Sequence, residues 1–490
     1  MVRQLVIGID LGTTSVKACA FQTDGHTIAE VEEMNKTEYP KQGYALQDVE
    51  HIERSAVLAL KRLIEKANII DGELLAVSFS AAMHSLVCVD STGKAISPLL
   101  TWADGRSVEQ VRALSDQDKQ HYYELTGTPI HPMTPFTKLL WMKETNYAPY
   151  NEATYFMSAK EFIIYKWFGQ RLIDYAMASA TGLFNPVTLQ WEPSLLQLTN
   201  ITSDQLSSIV EPTTILTGIS TEIAQEAGIS SDVPFVIGSA DGQLANLGSG
   251  AILPGEVAIS VGTSGAIRQF TSAFQVSEAQ STFCYSFSSD TYIVGGPTNN
   301  GGVVLQWTKD LLQYEGDFAA FIAEAEQAEI GSEGLVFLPY LNGERAPVWN
   351  QDAKGNFYGL SITHRREHLI RAVLEGITLN LYQIGNALEQ SIGPAHKVFV
   401  NGGLARSSVW LQMLADIFNA NIYVSESHNG AAWGASWTAL VALGHASSFA
   451  DIKNYIPMNE PVVPIAENSE KYKAIYEKYI SVQQVVAQLF

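Results

Sequence analysis

The sequence LVIGIDLGTTSVKACAF, residues 5–21, decides the fold. It predicts a buried strand over 5–10, a tight Gly-Thr-Thr turn and a second strand over 16–21, because runs of apolar residues flank a turn of small residues. The sequence EVAISVGTSGAIRQF, residues 256–270, repeats the pattern of strand, turn and strand. Each half of the 490-residue chain therefore opens in the same way, which predicts two related domains.

The segments around the first hairpin alternate between strand and helix patterns. Apolar residues at helical spacing predict a helix over 48–67, and a buried strand follows over 74–79. This alternation is typical of the α/β class. A strand over 233–238 leads into a stretch of small residues, so we place the boundary there, between domains 1–244 and 245–490. The second domain adds a strand over 397–400 and a helix over 407–419.

Composition and charge exclude several classes of protein. Hydrophobic residues make up 46% of the chain and charged residues 17%, as in globular proteins. The net charge of −21 would repel a phosphate backbone or an anionic lipid surface, so we expect neither nucleic acid nor membrane as a partner. No apolar run is long enough to span a membrane, and no signal region precedes the first strand, which predicts a cytoplasmic protein. Cys19, Cys88 and Cys284 lie too far apart for a metal knuckle and are expected to be reduced thiols.

The two glycine turns predict phosphate binding. A hairpin turn of glycine and hydroxyl residues exposes backbone N–H groups and short side-chain donors that can hold phosphate oxygens. Asp10 lies at the mouth of the first turn. Because the turn occurs twice, we expect a polyphosphate to be held between the domains. The chain contains neither a P-loop nor a dinucleotide fingerprint, so the nucleotide must be bound in another way.

Two longer stretches resemble the signatures of the FGGY carbohydrate kinases, which share an ATPase superfamily with actin and the heat-shock chaperones. The first is MTPFTKLLWMKE, residues 133–144, which departs from the family pattern only at Thr145. The second extends from Gly355 to Glu375. The resemblance implies two actin-like, ribonuclease H-like domains with a catalytic cleft between them. It also implies ATP and Mg²⁺, with sugar and phosphate bound by the first domain and nucleotide by the second.

The family resemblance also implies roles for individual residues. Asp241 is the general base that accepts the proton of the acceptor hydroxyl, and Asp10 holds Mg²⁺, through water. The remaining nucleotide-binding residues are Thr13, Thr14 and Lys17 in the first domain, and Gly262, Thr263, Gly302, Gln306, Gly403 and Ser407 in the second.

Acceptor recognition is expected near Met83-His84 and near Trp102, Asp104 and Arg106. The sequence of these segments is most similar to that of the FGGY kinases that phosphorylate gluconate, so a small sugar acid is the expected acceptor. A carboxylate needs a cationic partner in a narrow cleft. Arg106 is the first candidate for that partner, with Lys138 and Lys160 behind it.

Two alternatives remain open on the sequence. A ketopentose such as xylulose, or another polyol, would use the same catalytic residues. A chaperone-type ATPase would share the first glycine turn, although no peptide-binding domain is recognisable. A homodimer is possible.

Residues 364–368 also match the zinc-protease motif H-x-x-E-H. We interpret them as a solvated helix start with its N-cap at Thr363.

Overall fold

A computed structural model describes residues 3–70, 72–277, 280–425 and 429–489. The strands in chain order are β1 (Leu5–Leu11), β2 (Ser15–Gln22), β3 (Thr27–Met34), β4 (Leu46–Gln47), β5 (Leu74–Ala81), β6 (Val87–Val89), β7 (Leu99–Leu100), β8 (Tyr155–Met157), β9 (Leu172–Asp174), β10 (Phe184–Asn185), β11 (Gln190–Trp191), β12 (Ser208–Val210), β13 (Ile215–Leu216), β14 (Phe235–Ala240), β15 (Glu256–Val261), β16 (Gly265–Thr271), β17 (Phe283–Ser286), β18 (Tyr292–Thr298), β19 (Val336–Leu338), β20 (Asn356–Tyr358), β21 (Lys397–Gly402) and β22 (Ile422–Val424).

The helices are α1 (Val49–Ala67), α2 (Val108–Ala113), α3 (Asp116–Thr126), α4 (Pro135–Glu144), α5 (Ala148–Glu152), α6 (Ala159–Phe168), α7 (Tyr175–Ala180), α8 (Pro193–Thr199), α9 (Thr221–Ala227), α10 (Asp241–Gly248), α11 (Gly302–Leu311), α12 (Phe318–Ala323), α13 (Arg366–Ile392), α14 (Ser408–Phe418), α15 (Gly430–Ala442) and α16 (Ala466–Val486).

Two six-stranded sheets that share five strands of common topology form the centres of the two domains; the sixth strand, antiparallel to its neighbour, is β13 beside β14 in the first sheet and β17 beside β18, at the opposite edge, in the second. The first has the order β13-β14-β5-β1-β2-β3 and the second the order β17-β18-β16-β15-β21-β22. In each sheet a hairpin, β1–β2 or β15–β16, is followed on one side by an antiparallel strand and on the other by parallel strands. The repeat predicted from the two glycine turns is therefore confirmed as a repeat of sheet topology.

Each sheet has a core of its own, and a third apolar cluster joins the halves of the chain. Helix α1 covers one face of the first sheet, and α13 packs on the second sheet. The opposite face of the first sheet is covered by α10 together with α15, although α15 comes from the second half of the chain. Trp433 and Trp437 of α15 are buried in this third cluster.

Glycines allow α15 to pack this closely. A Cβ atom on Gly8 of β1 would lie 2.1 Å from the carbonyl oxygen of Ala432, and one on Gly434 would lie 2.2 Å from that of Leu244. Both distances are far below any contact that a side chain tolerates, so backbone meets backbone at these two positions.

The structure differs from the sequence-based expectations in two local details. Asp241, in the stretch of small residues expected after the strand over 233–238, is the first residue of α10. The expected N-cap at Thr363 is wrong, because α13 begins at Arg366 with Arg365 at the capping position, and the Thr363 hydroxyl instead contacts Ser361. Helix α10 spans the predicted domain boundary, because residues 244 and 245 both lie within it. The division at 244/245 remains a prediction.

Among the described residues, no helix combines the length and the apolar character needed to cross a bilayer. The three cysteines are free and buried.

Candidate active site

A cavity of about 250 Å³ lies between the two domains. The first domain contributes Ala82, Met83, His84, Trp102, Met133 and Asp241, and the second contributes Ser260, Gly262, Ser264, Gly265, Ala266, Arg268, Phe283, Pro297 and Arg345. A larger open groove of about 790 Å³ beside β4 and α1 is lined by residues 35–98 of the first domain alone. Because both glycine turns were expected to serve one ligand, the interdomain cavity is the better candidate.

Two carboxylates lie at the edge of the first sheet where its parallel strands end. Asp10 is near the end of β1, directly opposite Ser80 of β5, and Asp241 follows the last residue of β14. The carboxyl ends of parallel strands meet at one sheet edge, where ligands of α/β proteins commonly bind. Ser80 Oγ donates to Asp10 Oδ1 at 2.7 Å, and the Gly242 N–H donates to Asp241 Oδ1 at 2.7 Å.

The pKa of Asp241 is raised to about 6, first by burial and then by the negative charge of Asp10. The positive charge of Arg268 opposes this rise. Burial also raises the pKa of Asp10, whereas the Ser80 hydrogen bond and the charge of Lys17 lower it. A carboxylate with a pKa near 6 can accept a proton at neutral pH and release it easily, which suits a general base.

The second glycine turn lines the cavity through Gly262 and Ser264, and the first turn contacts Trp102, another residue of the cavity wall. Thr13 Oγ1 accepts a hydrogen bond from Trp102 Nε1 at 3.1 Å, Thr14 is exposed, and the exposed Lys17 lies 3.6 Å from Glu32. In the second domain Gly262 and Thr263 are also exposed. The Gly262 N–H donates to the Ser264 carbonyl inside the turn, so the exposed residues Thr14 and Thr263 are the ones accessible to a ligand.

The predicted adenosine-binding residues group around the second turn, with two exceptions. The N–H of Gly302, at the start of α11, donates to the Gly262 carbonyl at 2.8 Å. A Cβ on Gly403 would lie 3.5 Å from the carbonyl of Val261, one residue before the turn. Ser407, in contrast, uses its hydroxyl to cap α14, and Gln306 donates to Asp310 on the exposed side of α11.

His84 has unusual geometry on the acceptor side of the cleft. Its φ of +66° is in the left-handed region, where a non-glycine residue is strained, and such strain clusters at functional sites. Its Nδ1 lies 2.7 Å from the carbonyl oxygen of Ala180, so Nδ1 must carry the proton. Burial lowers the pKa of His84 to about 3, which keeps the ring neutral and leaves Nε2 as a hydrogen-bond acceptor.

Lys138 of α4 holds three cleft segments together. Its buried Nζ donates to the carbonyl oxygens of His84, Thr101 and Met133 at 2.7, 2.7 and 2.8 Å. Burial lowers its pKa to about 7, and the charge of Asp104 opposes that fall. The ammonium is therefore committed to the protein rather than to a ligand carboxylate.

Asp104 and Arg106 do not line the cleft. The Arg106 guanidinium makes a two-pronged contact with Asp104, at 2.7 and 2.8 Å, with both side chains buried. Its Cζ lies 3.7 Å from the ring centroid of Tyr44, and Asp104 also accepts from the N–H of Ala45. This pair corrects the expected contact with the acceptor, because each charge is already neutralised by the other.

Lys160 is likewise committed elsewhere. Its Nζ lies 2.5 Å from Asp174 Oδ2, with both side chains fully buried. None of the three cations expected to meet a carboxylate is free to do so.

The cations that line the cavity, Arg268 and Arg345, were not selected from the sequence. Arg268 lies on β16, just after the second glycine turn. Its position beside that turn is a sequence signal that could have identified it. Arg345 belongs to the stretch Glu344-Arg345-Ala346-Pro347, between β19 and β20. Both come from the second domain, whereas the expected cations Arg106, Lys138 and Lys160 lie in the first.

Comparison with known proteins places the chain in a family. Residues 5–248 match the N-terminal domain of the FGGY family of carbohydrate kinases, and residues 257–443 match the C-terminal domain of the same family. The chain belongs to the FGGY family of carbohydrate kinases.

Individual FGGY proteins match almost the whole chain. It is 37% identical to the gluconokinase of Bacillus subtilis (strain 168), over 98% of this chain and 96% of that one. Two solved chains from Lactobacillus acidophilus, a gluconate kinase and a ligand-bound xylulose kinase, each superimpose with a TM-score of 0.96 at 33% identity, covering 99% of this chain and 98% of each.

Family membership confirms several expectations. The two related domains have the actin-like ATPase fold of the FGGY kinases. The protein is an enzyme, a kinase with a hydroxyl group of a carbohydrate as acceptor, and membership in this family implies ATP as the phosphoryl donor. The chaperone-type ATPase is thereby set aside.

Proposed function

We propose that this FGGY kinase transfers the γ-phosphoryl group of ATP to a terminal hydroxyl of D-gluconate, giving 6-phospho-D-gluconate and ADP. The observation that carries the proposal is the interdomain cavity, where a carboxylate with a raised pKa lies near two guanidinium groups that form no ion pair among the described residues. The 37% identity to a gluconokinase supports the same acceptor. We place the enzyme in the cytoplasm.

Asp241 is the proposed general base. As the acceptor oxygen forms its bond to the γ-phosphorus, the hydroxyl proton passes to Asp241 and the bond between the γ-phosphorus and the bridging oxygen of ADP breaks. Placement at the N-terminus of α10 and the N–H of Gly242 orient the carboxylate. His84 Nε2 is positioned to accept a hydrogen bond from a second hydroxyl of the acceptor.

The turns at Gly12–Thr14 and Gly262–Ser264 are proposed to hold the phosphates from opposite sides. Gly302 and Gly403 leave the approach to the second turn free of side chains. Gln306 and Ser407 remain proposed adenosine contacts. Lys17 is an exposed cation beside Asp10 in the strand register and can approach a phosphate oxygen.

Asp10 fits a role in holding Mg²⁺. The described residues contain no group of three possible metal ligands, but Mg²⁺ commonly uses one or two carboxylates together with substrate phosphates and water. When bound, the ion would neutralise charge on the transferred group. Asp10 would contact its hydration shell, and Ser80 would fix the carboxylate.

A ketose acceptor is the second candidate, because a xylulose kinase from L. acidophilus has the same fold at 33% identity. A screen of aldonates, ketoses and polyols for ADP release separates the two. We expect gluconate to give the highest kcat/KM. Preferred turnover of xylulose would overturn the proposed acceptor.

A further inference from the structure

Two guanidinium groups converge on the cavity without an ion-pair partner among the described residues. Arg268 projects from β16, and Arg345 lies in the loop after β19. The Nε atoms of both are buried and have no hydrogen-bond partner. Other buried arginines of the chain are paired, as Arg106 is with Asp104 and Arg371 with Glu375. An unpaired buried guanidinium is costly unless a ligand supplies the missing charge.

The carboxylate of Glu344 favours the charged form of Arg345 but makes no direct ion pair with its guanidinium. Glu344 accepts hydrogen bonds from Thr298 Oγ1 and Asn380 Nδ2, and from the backbone N–H of Arg345 itself. The Arg345 side chain donates from Nη2 to the Thr298 carbonyl at 3.2 Å. Several of its five N–H donors are therefore left over.

The two positive charges also repel each other. Burial lowers the pKa of Arg345 to about 10; the charge of Glu344 opposes that fall, and the charge of Arg268 adds to it. Burial likewise lowers the pKa of Arg268, against the opposing charge of Asp241. An anion between the guanidinium groups would relieve both the desolvation and the repulsion.

The arrangement is held in place before any ligand binds. A Cβ on Gly242 would lie 2.9 Å from Arg268 Nε, and a Cβ on Gly295 would lie 2.9 Å from Arg268 Cγ, so two glycines form the slot for this side chain. The Arg345 Cζ lies 5.0 Å from the ring centroid of Trp102. Each arginine of the second domain thus reaches a residue of the first.

We propose that Arg268 and Arg345 together bind the carboxylate of the acceptor and make the enzyme selective for a sugar acid over a neutral sugar. This inference rests on the proposed function. An acid brings a carboxylate that can pair directly with both guanidinium groups, whereas a ketose or polyol leaves both without an ion-pair partner. A cavity of about 250 Å³ is compact enough for the carboxylate and the reacting hydroxyl of one small acid to lie in the same chamber.

The test compares D-gluconate with D-gluconamide, which has the same carbon chain but no charge. The readout is the ratio of kcat/KM for the two acceptors, since a general loss of folding or catalysis cancels in the ratio. We expect Arg268→Met and Arg345→Met each to lower this ratio about 10- to 100-fold, as for loss of a charged hydrogen bond. Arg268→Lys and Arg345→Lys are included in case the methionine variants do not fold.

Arg106→Met is the matched control, because it removes a buried arginine that has its own carboxylate and lies outside the cavity. We expect it to lower thermal stability and to leave the ratio within about twofold of the wild type. If the ratio of kcat/KM for gluconate to that for gluconamide is unchanged in both Arg268→Met and Arg345→Met, the inference is wrong. If the ratio falls in only one of the two variants, the two arginines do not act as a pair. Equal losses for both acceptors with a raised KM for ATP would assign the arginines to the γ-phosphoryl group and also overturn the inference.

Failure of the proposed function gives a different result. In that case the wild-type enzyme has a higher kcat/KM for xylulose than for gluconate, a result that does not depend on any variant.

Discussion

Asp241 has one chemical property that an asparagine lacks: it can accept a proton. Asp241→Asn keeps the size and the hydrogen bond from the Gly242 N–H, so we expect nucleotide binding to change little and turnover to fall roughly 10²- to 10⁴-fold. Steady-state kinetics and ADP titration measure the two effects. Asp116→Asn, at a fully exposed carboxylate, serves as the control. Retention of more than a tenth of turnover contradicts the assignment.

The raised pKa of Asp241 predicts the pH dependence of the reaction. A base must be ionised, so kcat/KM should fall as the pH drops through about 6. Asp10→Asn removes a like charge and should move this acidic limb to lower pH, while Arg268→Met removes an opposing charge and should move it to higher pH. Rate profiles over pH measure these shifts. A limb that stays in place in both variants shows that another group titrates.

At the scale of single residues, the sequence predicted the positions of the carboxylates Asp10 and Asp241 better than the partners of the arginines and lysines. Asp10 and Asp241 follow strand patterns, and a strand end fixes where the next side chain points. The partner of an arginine depends on residues distant in the chain. Arg106 was expected to meet a ligand, yet it is held by Asp104 and by Tyr44, a contact that local spacing does not predict.

At the scale of elements, Lys138 joins α4 to three segments that line the cavity. Lys138→Met keeps the length of the side chain but leaves three buried carbonyls without a donor, which should cost about 2–4 kcal/mol of unfolding free energy. Because His84 and Met133 line the cleft, we expect KM for the acceptor to rise more than KM for ATP. Lys143→Met, near the exposed end of the same helix, is the control. Equal stability of the two variants in urea would show that the carbonyls need no such donor.

The packing of α15 on the first sheet depends on glycine. Gly434→Val places methyl groups where the Leu244 carbonyl lies, so α15 must move away from α10. We expect a loss of at least about 2 kcal/mol in urea unfolding. Ala431→Val, a half-buried site on the same helix, should cost clearly less. Similar losses in both would mean that helix propensity rather than backbone contact is limiting.

Strands were easier to predict than helix starts. The apolar runs over 5–10 and 256–261 match β1 and β15 closely, since strand burial follows from the local pattern. The start of α10 at Asp241 was missed because its N-cap, Ala240, makes no side-chain capping bond. Likewise, the capping residue of α13 is an arginine, which standard capping patterns do not include.

At the scale of the molecule, the glycine turns proposed to hold phosphate, one on each domain, predict closure around the ligands. ATP analogue bound by both turns should draw the domains together and exclude water. Small-angle scattering with a non-hydrolysable ATP analogue and gluconate should show a smaller radius of gyration than the free protein. Analogue with the Asp241→Asn variant should give the same decrease, since closure requires binding and not proton transfer. An unchanged radius in both contradicts hinge closure.

The origin of α15 in the second half constrains the order of events during synthesis. The first sheet emerges from the ribosome early, but the helix that covers half of its second face is translated only after nearly all of the second domain. Apolar residues of that face, such as Val6 and Val236, therefore stay open to water or to other chains throughout that interval. Premature termination between α10 and residue 430 would release a polypeptide in which the part of the first sheet that α15 covers stays exposed, which makes such truncated products prone to aggregation even when their own hairpins have formed.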